Sequence, residues 1–236
     1  MTPAKPDFMA AIESMRQRSE ELRSADPEAF DAQVAAIDAQ KAESAARERW
    51  TSRSARLERS GVKLADGLRT RMLADEMDDT QALEVTRAWL ADKRRKPWLA
   101  LCGKTGCGKT AAAAYALAEH NNGMFLRSED VVRTFAGLFG DSVERQERAN
   151  NARFLVVNNV GSEADASRMH SALVELLDER TSSIWTPTLL TTNLSAAEFR
   201  ERYQSERLAS RFAQAVQWTA LTSKEDLRRR KREAKP

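Results

Sequence analysis

Gly103-Lys104-Thr105-Gly106-Cys107-Gly108-Lys109-Thr110 is a complete G-x-x-x-x-G-K-[ST] run. Its flanks decide how it reads. Before it stands Trp98-Leu99-Ala100-Leu101-Cys102, a short apolar run suited to a strand buried on both faces. After it, Ala111 to His120 is rich in alanine and ends at Asn121-Asn122-Gly123, the pattern of a helix with a glycine stop. Strand, loop and helix in that order make a phosphate-binding loop: the glycines let backbone N–H groups wrap phosphates, and the helix start adds the positive end of its dipole. Lys109 is expected to reach the β- and γ-phosphates and the Thr110 hydroxyl to hold Mg2+. Cys107 has no required role there.

Outward from the loop, apolar runs alternate with helical patterns. Met124-Phe125-Leu126, Phe154 to Asn159, Pro187 to Asn193 and Val216 to Thr219 read as further strands. Between them lie helices: one started by Ser128 with Val131, Val132, Phe135 and Leu138 as its apolar face, a charged piece over 141–150, and one containing Met169 to Leu177. A short helix follows the Ser195-Ala196-Ala197-Glu198 capping box, and another holds Arg207 to Phe212. The expected fold class is α/β, an open and mostly parallel sheet with its ligand at the C-terminal strand ends. A small all-helical domain precedes it, because residues 1–60 lack glycine and are rich in Ala, Glu, Arg and Gln. Its large apolar residues form one narrow stripe, which suits partner binding. The expected organisation is 1–60 helical, 61–75 linker, 76–222 nucleotide-binding and 223–236 a basic tail. Asp78 or Asp79 is the expected cap of the helix before Pro97.

Composition narrows the chemistry. Of the 236 residues, 31% are charged and 42% hydrophobic, and no apolar stretch approaches the ~18 residues of a membrane span, so a cytoplasmic protein with no membrane partner is expected. The formal charge of +3 is unevenly placed, because 223–236 carries seven Lys/Arg against three acids. Such a segment suits nucleic-acid phosphates. Arg127, Arg133, Arg145 and Arg148 make a second basic region. With only His120, His170, Cys102 and Cys107 available, zinc frameworks and a Ser-His-Asp site are poorly supplied.

Taken together, the phosphate loop, a strand ending Asn158-Asn159-Val160-Gly161, the Thr191-Thr192-Asn193-Leu194-Ser195 strand end and Glu206-Arg207-Leu208-Ala209-Ser210-Arg211-Phe212 resemble the AAA+ ATPases of the DnaC/IstB type. The likeness covers roughly residues 60–230. It implies ATP and Mg2+ as cofactors, with Gly103 to Thr110 binding the nucleotide and Thr110 and Asn158 facing the metal. Lys109, Asn158, Asn159, Asn193 and Arg211 would be the catalytic set. Asn193 matches the sensor of the γ-phosphate, and Arg211 the arginine that reaches a neighbouring subunit's nucleotide in trans, with Arg207 second. Arg228 is a weaker match to a second sensor. The implied partners are a replicative DNA helicase held through residues 1–60, single-stranded DNA, and further copies of the chain.

One departure matters. The family ends its second motif with two acids, and here both are asparagine. An amide offers a carbonyl oxygen but brings no charge to a metal and accepts no proton usefully. Loss of a general base slows such chemistry by ~10²–10⁴. Nucleotide binding with weak Mg2+ and slow hydrolysis is therefore expected of a helicase loader. The alternatives are a transposition helper of the same clade, a non-hydrolysing scaffold or inhibitor, and a small-molecule kinase whose lid the sequence does not supply.

Overall fold

The computed structural model describes residues 8–182 and 186–222. The basic tail and Arg228 lie outside these residues. The chain opens with α1 (Phe8–Ala25) and α2 (Pro27–Ser60). The break between them is chemical: Pro27 takes a first helical position where no amide hydrogen is needed, and the Asp26 carboxylate accepts the Ala29 amide at 3.0 Å. A first compact unit runs to Arg49 and a second begins at Trp50. In the first unit Met15, Leu22, Val34 and Ile37 each remain more than 40% exposed.

This division falls earlier than the expected boundary at residue 60. The last turns of α2 belong to the second unit because Arg53 and Leu57 are buried there. The Arg53 guanidinium meets Glu119 at 2.7 Å, Asp75 at 3.2 Å and the Met72 carbonyl at 3.3 Å. Nor is 61–75 only a connection: it holds α3 (Asp66–Leu73), whose Met72 and Leu73 enter the core. In the next helix, α4 (Gln81–Ala91), the cap is Thr80, whose hydroxyl accepts the Leu83 amide at 3.2 Å. Asp78 and Asp79 instead pair with Arg71 and Arg87 at 2.7 and 2.8 Å.

The sheet comprises β1 (Trp98–Cys102), β2 (Gly123–Arg127), β3 (Phe154–Val160), β4 (Thr188–Thr192) and β5 (Val216–Ala220). Every pairing is parallel, in the order β2-β3-β4-β1-β5. Intervening helices are α5 (Lys109–Glu119), α6 (Ser128–Phe135), α7 (Ser142–Asn151), α8 (Ala166–Ser182), α9 (Ala196–Tyr203) and α10 (Glu206–Ala215). Side chains alternate between two cores, as a sheet covered on both faces requires. Leu99, Leu101, Phe154 and Val156 join the alanines of α5 on one face. Trp98, Ala100, Leu155 and Val157 join α8, Phe199 and Phe212 on the other. Cys107 belongs to the first core, whereas Cys102 accepts the Trp218 indole N–H at 3.0 Å on the second. Both thiols are free.

Two helix signals read differently in three dimensions. Ser128 does not cap α6, because its hydroxyl donates to the Asn159 carbonyl at 3.0 Å and ties β2 to β3. That helix stops before Gly137, at φ +69°, so Leu138 is 59% exposed rather than part of the apolar face.

Arg180 was invisible as a core residue. It is 1% exposed and donates from Nε to the Thr188 hydroxyl and from Nη atoms to the carbonyls of Ala149, Asn150, Ala152 and Pro187, at 2.7–3.1 Å. Burial pushes its pKa down to about 10, so it remains protonated at neutral pH. The fork thereby fastens the starts of β3 and β4 to the end of α7. Arg180→Met is expected to lower unfolding stability by about 3 kcal/mol, since several buried carbonyls lose their donor. Denaturant unfolding checks this, and a change below about 0.5 kcal/mol, the range of ordinary surface substitutions, would contradict the assignment.

Candidate nucleotide site

The glycine-rich loop leaves β1 and enters α5 at Lys109. Gly106 and Gly108 sit at φ +91° and +90°, a left-handed conformation that disfavours a Cβ. No side chain caps α5, so its first amides are free to face an anion. The Lys109 side chain is folded back over the loop: its ammonium donates to the carbonyls of Gly103 at 2.6 Å and Lys104 at 2.8 Å, and to Asn193 Oδ1 at 3.0 Å. Cys107 Sγ is a fourth, longer partner at 3.6 Å, and none of the three oxygen partners carries a charge. The residue is only 8% exposed, and no carboxylate among the described residues pairs with it.

The end of β3 completes the constellation. Asn158 Oδ1 accepts the Thr110 hydroxyl at 3.0 Å and the Thr191 hydroxyl at 2.8 Å, and the Thr191 oxygen accepts the Asn159 amide at 2.8 Å. The amide of Asn158 is thus oriented with its oxygen toward Thr110. Asn159 lies where the register of β3 against β4 slips, at φ +67°, a conformation that asparagine tolerates better than most residues. Its side-chain amide donates to Ser162 Oγ at 2.8 Å. Thr191 was not among the expected site residues, although its place at the end of an apolar strand marked it as polar where polarity needs a reason.

The nearest acid beyond the strand is not available for chemistry. Glu163 is 3% exposed and accepts from the Gly161 amide at 2.8 Å, Arg202 Nε at 3.1 Å and the Tyr203 hydroxyl at 2.6 Å. It fastens α9 to the turn after β3. Burial, then the Glu163 carboxylate, pushes the Tyr203 hydroxyl pKa well above its usual value.

These groups face a cleft of about 440 Å3. Thr105, Gly106, Lys109, Thr110, Asn159 and Asn193 form one side, and Leu64, Leu68 and Met77 the other. That second wall, built by the start of α3 and the stretch after it, has no clear sequence signature, because two leucines four apart are too sparse a periodic signal. The donors beside Thr110 are one hydroxyl and one amide oxygen. No group of three His, Cys, Asp or Glu residues able to hold a metal occurs among the described residues. Mg2+ is usually bound through one or two carboxylates, so this set fits a nucleotide's phosphates better than it fits the cation.

Arg211 and Arg207 stand elsewhere. Both grip Asp178, at 2.6 and 2.8 Å, and Arg211 lines a hollow with Pro97 and Ala215 at the starts of β1 and β5. The loop is at the opposite end of β1, so neither guanidinium serves the nucleotide of its own chain. Of the basic region on α6 and α7, Arg133 and Arg148 are exposed, whereas Arg145 pairs with Asp141 at 2.7 Å.

No protein-family model matches the sequence, and neither does any curated protein. Solved structures do. A candidate primosome component from Streptococcus pyogenes serotype M3 is 22% identical over 72% of this chain and 96% of its own, with a TM-score of 0.53. DnaA from Aquifex aeolicus, bound to AMPPCP, is 15% identical over 65% of this chain, with a TM-score of 0.51, and the match spans 51% of that protein. A DnaC helicase loader gives 18% identity over 70% of this chain and 96% of its own, with a TM-score of 0.48. At these identities the likeness establishes the fold alone, a P-loop α/β domain built on a parallel sheet. Among the described residues no helix is long and apolar enough to cross a membrane.

Proposed function

We propose that this chain is an ATP-binding helicase loader of the DnaC type whose own hydrolysis is impaired. The observation that carries the reading is the pairing of an intact phosphate cradle with asparagines at the end of β3. Lys109 exchanges its neutral partners for phosphate oxygens, the α5 amides and Thr110 complete the grip, and Leu64, Leu68 and Met77 offer an apolar wall for the base. ATP supplies a γ-phosphoryl group whose negative charge suits that unpaired ammonium. Asn193 gives up Lys109 when the phosphate arrives, freeing its amide to sense the γ-phosphate.

Turnover is where the site falls short. Neither Asn158 nor Asn159 can take a proton from water, and Glu163 is held by Arg202 and Tyr203. Bound ATP then acts chiefly as an assembly signal, with Arg211 leaving Asp178 to reach a neighbouring copy's phosphates. The exposed Arg133 and Arg148 are the residues proposed here to meet single-stranded DNA. The apolar side chains left exposed on α1 and α2 are proposed to dock on a replicative helicase. A non-hydrolysing scaffold is the second reading, favoured by the Asn159 amide bond to Ser162.

Steady-state ATP hydrolysis by this protein and by N158D/N159D, each with and without single-stranded DNA, tests the impairment. Both proteins are expected to bind ATP within about threefold, with the double variant turning over about 10² times faster or more. Equal rates would remove Asn158 and Asn159 as the cause, and no turnover in either would leave the scaffold reading. For the partner, V34E/I37E is expected to abolish co-migration with the replicative helicase in size-exclusion chromatography while ATP affinity is unchanged. Co-migration that survives the substitutions would place the helicase contact elsewhere.

A further inference from the structure

The starts of the strands, at the edge of the domain opposite the candidate nucleotide cleft, carry a concentration of positive charge that the proposed function does not use. The turn Lys93-Arg94-Arg95-Lys96 leads into β1, and Arg153 leads into β3. β4 lies between those strands, so the two cationic points are about two strand spacings, or roughly 10 Å, apart. Arg56 joins them at the end of α5, where its Nε donates to Asn121 Oδ1 at 2.9 Å and its Nη1 to the Ala118 carbonyl at 3.0 Å.

Arg207 and Arg211 at this end pair with Asp178, but Arg56, Arg95 and Lys96 are held by neutral groups. Arg95 donates to the carbonyls of Leu90 and Asp92 at 3.0 and 3.1 Å, with its guanidinium 5.1 Å from the Trp89 ring centroid. Lys96 donates to the carbonyls of Ala213 and Val216 at 2.5 and 3.5 Å. Lys93, Arg94 and Arg153 are exposed and make no ion pair among the described residues. Of the neighbouring acids, Glu119 binds Arg53 at 2.7 Å and Asp178 binds Arg207 and Arg211, while Asp92 accepts the Arg94 backbone amide at 2.8 Å and keeps its own charge. Burial lowers the His120 pKa, the Ala116 carbonyl and Glu119 oppose it, and Arg95 and Arg56 act in the same direction as burial.

We propose that this edge grips the phosphate backbone of a nucleic-acid duplex, as a contact separate from the nucleotide cleft and from the α6–α7 surface. The spacing suits phosphates flanking a groove, whose width is roughly 6–12 Å in B-DNA. Single-strand sites stack bases on aromatic side chains, whereas Trp89 and Phe154, rings beside these cations among the described residues, are 2% and 0% exposed, which suits a duplex rather than a single strand. Backbone contacts of this kind position the protein without reading sequence. The inference stands independently of the loader reading.

The test is fluorescence anisotropy of the full chain on a labelled mixed-sequence duplex of about 30 base pairs and on the matching single strand, between about 50 and 200 mM salt. K93E/R94E/R153E is the principal variant, and K93Q/R94Q/R153Q repeats it without charge reversal should the first melt early. Duplex affinity is expected to fall at least about tenfold at 100 mM salt. The slope of log affinity against log salt should become shallower by about 2.7, since three cations are removed and each phosphate no longer neutralised removes ~0.9 from it. Single-strand and ATP affinities should be unchanged. Unaltered duplex affinity and slope, an equal loss on both nucleic acids, or no duplex binding by the parent protein would each overturn the proposal.

Discussion

A largely buried ammonium with no counter-ion among the described residues is the constraint around which this molecule is arranged. Lys109 is held at the mouth of α5 by two loop carbonyls and the Asn193 amide oxygen, and these neutral partners leave its charge uncompensated. The parallel sheet exists, from this viewpoint, to bring three strand ends to one place: β1 supplies the loop, β3 supplies Asn158 beside Thr110, and β4 supplies Thr191 and the approach to Asn193. Arg180 secures the far ends of β3 and β4, so the near ends are set in register by a group about one strand length away.

Binding and chemistry are separable in such a site. In the proposed function, phosphate recognition rests on backbone amides, Lys109 and a helix start, and none of these needs an acid. Bond cleavage needs a base and a way to neutralise developing charge, and the groups at those positions are amides. Asn159 is also shaped by its backbone, since its left-handed conformation and its bond to Ser162 give the side chain a structural task. Placing Arg207 and Arg211 at the opposite end of the strands has a similar consequence: any role they have at a nucleotide requires a second chain.

Much of this was legible in the residues. Parallel strands buried on both faces are near-continuous apolar runs, which is why Trp98 to Cys102 and Phe154 to Val157 stood out, and the glycine spacing of the loop is set by backbone geometry alone. The capping box at Ser195 is local and was equally readable. What escaped depends on contacts distant in sequence. α3 is too short and too polar to announce itself, yet Met72 and Leu73 complete a core and its start walls the cleft. Ser128 looks like a cap until Asn159 is placed next to it, and Glu163 looks like a spare acid until Arg202 and Tyr203 arrive 39 and 40 residues later. Arg180 reads as a surface charge on any helical wheel.

The central claim is that phosphate binding here is uncoupled from acids and therefore largely from the divalent cation. Calorimetric titration of ATP into the protein, once with Mg2+ and once with EDTA, measures this directly. The account predicts dissociation constants within about threefold of one another, because Mg2+ sites ordinarily draw on one or two carboxylates, and the carboxylate that lines the cleft among the described residues, Asp78, is held by Arg71 at 2.7 Å. A loss of affinity of about a hundredfold in EDTA, roughly 2.7 kcal/mol, would contradict it and would mean that the Thr110 hydroxyl and the Asn158 amide hold the cation after all.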